Sequence, residues 1–175
     1  GGVAVSNTAT GAGTRSRINI TNSAFNLNFS AGTKNNVSIC TWWKLTTKTN
    51  DEGTIFDKGI GQSANSGEYG LFIYPDGSLS IRVGGQTGES IATANGATAK
   101  NLVANDTNLW HFTCLLFNTT STGQGSTTAR LYFDNSLVKQ VSTLTGGGNQ
   151  PTNQKFHLLL GQRIDGGRRA NITFD

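Results

Sequence analysis

The sequence predicts an all-β fold, a sandwich of two antiparallel sheets, and two observations carry this prediction. First, apolar side chains alternate with other residues along 69–85, on either side of the segment Tyr74-Pro75-Asp76-Gly77. Alternation with period two places one set of side chains on a single strand face, and Pro, Asp and Gly favour a tight turn. This stretch is therefore predicted to be a β-hairpin with one apolar face that a second sheet covers. Second, no stretch of useful length has the helical period of 3.6 residues.

The elements before the hairpin are predicted in order from the N-terminus. Residues 1–14 contain mostly Gly, Ala, Thr and Ser, so we expect a flexible arm or an edge strand. Short alternating runs bounded by Asn and Ser indicate strands at 17–20 and 25–29. The run 37–45, VSICTWWKL, predicts a long strand, and 54–58 predicts the strand that follows it.

After the hairpin, the Ala- and Thr-rich stretch 91–104 indicates one or two poor strands. Asp134-Asn135 is predicted to form a hairpin turn. Clear strands are predicted at Leu109–Asn118, Ala129–Phe133, Leu137–Val141, Phe156–Leu160 and Asn171–Phe174. The total of about ten to twelve short strands suits a single sandwich domain over 15–175.

Composition and charge restrict the classes of partner. Charged residues make up 14 % of the 175 residues, the net charge is +4, and Gly, Ser, Thr and Asn together form roughly 45 %. Without a long basic run or a nucleic-acid motif, nucleic acid is not expected as a partner. No apolar run is long enough for a membrane span. The polar, weakly charged composition is typical of extracellular or virion-surface proteins, where we expect this protein to act, and the lack of Met suggests a piece of a longer chain.

The cysteines and histidines do not form a recognisable reactive site. Cys40 and Cys114 lie in different predicted strands and can pair only if those strands are neighbours in register. We interpret them as two small buried thiols. His111 and His157 lie within apolar strands, where a hydrogen-bonded structural role is expected. These four separated residues do not make a zinc set.

Six segments of the sequence occur in a characteristic order: ICTWWK, TIFDKG, YGLFIYPDGSLSIRV, LWHFTCLLF, ARLYFDNSLV and HLLLGQR. This series resembles the laminin-G-like branch of the concanavalin A-like lectin/glucanase jelly rolls. The resemblance spans roughly 37–163 and implies a two-sheet jelly-roll sandwich. Asn135 stands where these domains usually have a turn Gly, a change that Asn tolerates because it also adopts the left-handed conformation.

The resemblance makes Ca²⁺ the cofactor to consider. Many lectins and laminin-G-like modules hold Ca²⁺ at a loop rim through carboxylate, amide and carbonyl oxygens. The acidic and amide residues at the ends of predicted strands are Asp57, Asp76, Asp134, Asn135 and Asp165, and of these Asp57, Asp134, Asn135 and Asp165 are the candidate ligands. The alternative stays open that these residues occupy turns for conformational reasons, because no recognisable ligand spacing joins them.

Catalysis is not expected. The glycoside hydrolases of this superfamily carry two catalytic carboxylates in a Glu-x-Asp-x-x-Glu arrangement, and hydrolysis requires such a pair. This spacing is absent from the sequence, and the adjacent Asp51 and Glu52 lie in a predicted loop. The chain is therefore predicted not to be an enzyme.

Two aromatic residues are the candidates for ligand binding, because a sugar ring offers an apolar face to an exposed aromatic side chain. Trp43 shares its strand face with apolar residues and is expected in the core. Trp42 points to the opposite face and is a candidate platform, although it also matches the strand Trp of the family, which favours packing. Tyr74, at the predicted hairpin tip, is the second candidate.

The sequence thus leads to a ranked set of hypotheses. The first is a non-catalytic recognition or adhesion module that binds a glycan or a protein surface within a larger extracellular or particle-surface protein. The second is a structural domain of a phage or virus particle (capsid decoration, tail or fibre) held by neighbouring subunits. The third and weakest is a glycoside hydrolase. Jelly rolls serve all three roles, so the fold cannot decide between them.

Overall fold

The computed structural model describes residues 5–6, 18–20, 35–58, 69–83, 96–99, 102, 104, 106–119, 127–141, 158–161 and 170–175. Within these ranges all regular secondary structure is β. The strands are Val5–Ser6 (β1), Ile18–Ile20 (β2), Asn35–Leu45 (β3), Gly53–Lys58 (β4), Tyr69–Ile73 (β5), Leu79–Val83 (β6), Gly96–Ala99 (β7), His111–Thr119 (β8), Thr127–Phe133 (β9), Ser136–Val141 (β10), Leu158–Leu160 (β11) and Ile172–Phe174 (β12).

The strands form two six-stranded sheets whose neighbours are all antiparallel. Sheet A has the order β1-β12-β3-β8-β9-β10, and sheet B has the order β2-β11-β4-β5-β6-β7. Both sheets pair strands that are far apart in sequence. In sheet A, β3 pairs with β8, and in sheet B, β4 pairs with β11. The predicted all-β, two-sheet antiparallel fold is confirmed.

The core lies between the two sheets, and side chains of both sheets supply it. Trp43 and Leu115 of sheet A belong to the same apolar cluster as Ile55 and Leu71 of sheet B, and all four are fully buried. The rings of Tyr69 and Phe117 meet across the two sheets with 5.7 Å between centroids. Burial of this apolar surface provides the main stabilisation of the sandwich.

The predicted central hairpin is present as β5 and β6. Its turn closes with a hydrogen bond from the Gly77 amide to the Tyr74 carbonyl at 2.9 Å, and Asp76 Oδ1 accepts from the Ser78 amide at 2.9 Å. Gly77 has φ of 81°, a conformation that favours glycine. The hairpin differs from the prediction in one respect: Phe72 and Ser80, on the face away from the core, are also buried.

Most of the other predicted strands are also present, with shifted ends. The strand predicted from Leu109 begins only at His111, so Trp110 precedes it, and the Ala-rich stretch contributes β7. Val5–Ser6 pairs with β12 at the edge of sheet A. The strand predicted at 25–29 lies outside the described residues. Among those residues, no helical segment has the length and apolarity that crossing a membrane requires.

The interpretation of Cys40 and Cys114 as buried free thiols is wrong. The two residues face each other in the β3–β8 register and form a disulfide, with 4.0 Å between their Cα atoms. Cys40 is exposed and Cys114 is half-buried. The disulfide forms because β3 and β8, which are far apart in sequence, are neighbouring strands whose register places the two cysteines opposite each other.

Candidate functional site

The outer face of sheet A, the face turned away from the core, carries the side chains that are most available to a ligand. Along β3 the burial alternates, so that Trp43 and Leu45 are buried while Cys40 and Trp42 are exposed. The same alternation continues in β8, where Phe112 and Leu116 are half-buried on the outer side. This face is open across the two central strands of the sheet.

Three aromatic residues form one end of this face, which we call the aromatic end (Trp42, Trp110 and Phe112). Trp42 and Phe112 are direct partners in the β3–β8 register, and their ring centroids lie 5.2 Å apart at an angle of 45°. Trp42 is 47 % exposed and Trp110 is 40 % exposed. Large aromatic side chains with this exposure contribute little buried apolar area to the stability of the fold. Exposed apolar patches of this kind mark interaction sites, so the aromatic end is the strongest candidate binding surface.

Charged residues flank the aromatic end and fix its shape. The Lys44 Nζ lies 5.1 Å from the ring centroid of Trp110, a cation–π contact that holds this ring beside the strand. The backbone amide of Asp175 donates to the Trp42 carbonyl at 3.1 Å. Trp42, Trp110 and Asp175 line a cleft of about 270 Å³. Among the described residues, two aromatic residues and one acidic residue therefore line the cleft.

The opposite end of the same face carries hydrogen-bonding side chains and is called the polar end (Asn36, Ser38, Asn118, Thr128 and Arg130). These residues line a second depression of about 190 Å³. Asn36 faces Asn118 directly in the β3–β8 register, and both are exposed. The aromatic and polar ends are thus two parts of one surface built on the same strand pair.

A buried histidine supports the aromatic end from below. The Nδ1 atom of His111 lies 2.9 Å from Asp134 Oδ2, and the Phe112 amide donates to Asp134 Oδ1 at 2.8 Å. The His111 ring stacks on Phe133 and is only 3 % exposed, so a substrate cannot reach it. The predicted structural, hydrogen-bonded role is confirmed for His111, whereas His157 lies outside the described residues.

The candidate calcium ligands do not come together in the described part of the chain. Asp57 lies within β4 of sheet B, fully buried, rather than at a loop rim. Asp134 and Asn135 form the turn between β9 and β10 of sheet A, with φ of 46° and 65°. Asp165 lies outside the described residues, and the described ones contain no group of three or more His, Cys, Asp or Glu placed to hold a metal ion.

The two candidate ligand-binding aromatics occupy different surroundings. Trp42 is exposed on the outer face of sheet A, where one side of its ring contacts Phe112. Tyr74 is half-buried at the start of the β5–β6 turn, in the other sheet. The sequence did not indicate Phe112 or Trp110 as neighbours of Trp42, because the β3–β8 pairing brings Phe112 opposite Trp42 and the fold brings Trp110 to the same cleft.

Comparison with known protein families gives one match over most of the chain. Residues 13–175 match a laminin G family model described as the concanavalin A-like lectin/glucanases superfamily. No curated protein matches the chain in sequence.

Several solved structures share this fold. A Ruminococcus gnavus IT-sialidase CBM40 bound to α2,6-sialyllactose is 11 % identical, with a TM-score of 0.51, and the match covers 85 % of this chain and 88 % of that one. A botulinum neurotoxin type C structure, whose cell entry depends on two ganglioside molecules, is 14 % identical with a TM-score of 0.54; the match covers 94 % of this chain and 36 % of that one. A Trypanosoma rangeli sialidase is 12 % identical with a TM-score of 0.52, covering 79 % of this chain and 19 % of that one.

Proposed function

The chain belongs to the concanavalin A-like lectin/glucanases superfamily, and from this premise we propose that it is a non-catalytic carbohydrate-binding module that uses the outer face of sheet A. The observation that carries this proposal is the aromatic end, where Trp42 and Trp110 are exposed beside a cleft that Asp175 also lines. A pyranose ring stacks its apolar face on an aromatic side chain and gives its hydroxyls to neighbouring polar groups.

The chemistry of the cleft supports binding rather than hydrolysis. Glycoside hydrolysis needs two carboxyl groups at a fixed separation. Among the described residues, Asp175 is the one carboxylate that lines the cleft. Asp134 is held by His111 and by the Phe112 amide. A single carboxylate accepts hydrogen bonds from sugar hydroxyls but cannot supply both the acid and the base.

The likeness to known structures supports the same proposal. One neighbour binds sialyllactose and another depends on gangliosides. The Cys40–Cys114 disulfide is typical of an oxidising compartment, which supports an extracellular or particle-surface location.

The proposal is tested by screening the chain on an array of sialylated and neutral oligosaccharides, followed by titration calorimetry with the strongest binder. Trp42→Ala and Trp110→Ala are each expected to weaken binding about 30-fold or more, because central aromatic contacts dominate interface energies. Leu137→Ala, which removes an equally exposed apolar side chain on β10, is the matched control and should leave the affinity unchanged.

The Tyr74→Ala variant tests whether the ligand binds at the hairpin tip instead of the outer face of sheet A. Loss of binding in Tyr74→Ala with retention in Trp42→Ala would move the site to sheet B. No binding of any glycan by the wild-type chain would refute the carbohydrate proposal and leave a protein surface as the partner.

A further inference from the structure

The polar end of sheet A lies in line with the aromatic end, and this geometry has a consequence for ligand length. Trp42 and Ser38 both project from the outer side of β3, four residues apart, so about 13 Å of extended strand separates them at ~3.3 Å per residue. Asn36 lies two residues farther along the same side. A single sugar stacked on Trp42 cannot also reach the polar end.

The surface between the two ends is continuous. It contains the Cys40–Cys114 disulfide, with Tyr132 beside Cys114 in the β8–β9 register. Along this surface Cys40 is exposed, and Cys114, Leu116 and Tyr132 are half-buried. An extended chain laid along β3 and β8 would cross the disulfide on its way from one end to the other, with Tyr132 of β9 beside it.

The polar end has hydrogen-bonding groups that the described protein does not use. The side-chain amides of Asn36 and Asn118 and the guanidinium of Arg130 make no hydrogen bond or ion pair with a described residue. Asn supplies both a donor and an acceptor, and the planar guanidinium donates to two adjacent oxygens at once. This set matches the vicinal hydroxyls of a sugar better than it matches an apolar partner.

We infer that the polar end is a second sugar subsite, and that the ligand of the proposed binding module is an extended oligosaccharide running along β3 and β8. One part of the chain stacks on Trp42 and Trp110, and a part several sugar units away binds Asn36, Asn118 and Arg130. This inference rests on the proposed function and adds the length of the ligand and its direction on the sheet.

The test is titration calorimetry of the full chain with cello-, chito- and oligogalacturonide ladders, from disaccharide to hexasaccharide. In at least one ladder the hexasaccharide is expected to bind about tenfold or more tightly than the disaccharide, a gain equivalent to one or two good hydrogen bonds. Arg130→Ala and Asn36→Ala should remove most of this gain and leave disaccharide affinity unchanged. Lys48→Ala, which removes a positive charge from an exposed residue outside both ends, should change neither value.

The outcomes distinguish a failure of the second subsite from a failure of the proposed carbohydrate binding. If hexasaccharide and disaccharide bind equally, or if the Arg130 and Asn36 variants retain the full gain, the second subsite is refuted while binding at Trp42 stands. If the ladders and the array both give no binding, the carbohydrate proposal itself fails, and the second subsite fails with it.

Discussion

The outer faces of the two sheets differ in accessibility although their strands follow the same alternation. On sheet A the outer side of β3 leaves Cys40 exposed and Trp42 47 % exposed. On sheet B the corresponding side is closed, because Thr54 and Phe72 are fully buried and Ser80 is 2 % exposed. Two sheets that share one core therefore present very different surfaces, and only the face of sheet A has large aromatic side chains open to a ligand within the described residues.

The closed face of sheet B is also tightly packed within itself. A Cβ atom on Gly70 would approach two ring carbons of Phe72 to 2.7 and 2.8 Å, so the Phe72 ring lies directly over the glycine. A charged residue is enclosed there too, since Asp57, which pairs with Gly70, is fully buried and has an interaction partner. Under the proposed function, sheet B therefore serves stability and the outer face of sheet A serves recognition.

The largest effect that tests this contrast is on stability. Phe72→Ala is expected to lower the free energy of unfolding by about 3–5 kcal/mol, because it removes a fully buried ring. Trp42→Ala, although it removes a larger side chain, should cost only about 1 kcal/mol, mainly its contact with Phe112. Urea denaturation followed by far-ultraviolet circular dichroism measures both, and equal losses would contradict the assignment.

The disulfide is the next largest contribution, and it lies on the open face. Cys40 and Cys114 are 74 positions apart, so the bond removes much of the freedom of the unfolded chain. Reduction is expected to lower the free energy of unfolding by about 2–4 kcal/mol. Thermal unfolding with and without reductant measures the change, and a Cys40→Ser/Cys114→Ser double variant, which has no bond to lose, should not respond to reductant. An unchanged melting temperature in the wild-type chain would contradict this expectation.

The turn carboxylate below the aromatic end gives an intermediate effect. Asp134→Ala removes the acceptor for His111 and for the Phe112 amide, at an expected cost of about 2 kcal/mol. Asp134→Asn retains an acceptor and tolerates the positive φ, so it should cost less. Melting temperatures in Ca²⁺ and in EDTA decide the role of this residue: a cost that disappears in EDTA would identify Asp134 as a calcium ligand.

The smallest expected effect is on the stability of the polar end. Arg130→Ala and Asn36→Ala each replace an exposed side chain and should change the free energy of unfolding by no more than about 0.5 kcal/mol. Urea denaturation checks this directly. A loss comparable to that of Phe72→Ala would show that these residues support the fold rather than a ligand.

Local patterns in the sequence were sufficient to predict most of the described strands, the two hairpin turns and the buried position of Trp43. The alternation could not predict which outer face is open, because Thr54 and Ser80 look as suited to water as Ser38 does, and only Ser38 is exposed. Alternation reports which residues share a face, whereas coverage of that face depends on packing between distant segments.

The composition of the candidate site likewise depends on strand pairing, which the sequence alone does not reveal. The disulfide, the Trp42–Phe112 contact and the opposition of Asn36 and Asn118 all come from one register between β3 and β8. Neither strand contains information about its partner that a single sequence reveals. Trp42 could therefore be named as a candidate from the sequence, while the surface around it could not.

The most direct test of recognition by sheet A uses the three tryptophans of the chain as internal reporters. Their indole N–H groups give separate signals in a ¹H–¹⁵N correlation spectrum, and the strongest glycan from the array is added stepwise. The signals of Trp42 and Trp110 are expected to shift with the ligand, while that of Trp43, which is buried and donates to Thr113 Oγ1 at 3.2 Å, stays in place. Saturable binding that leaves the Trp42 and Trp110 signals unchanged would contradict the central claim and place the site elsewhere on the molecule.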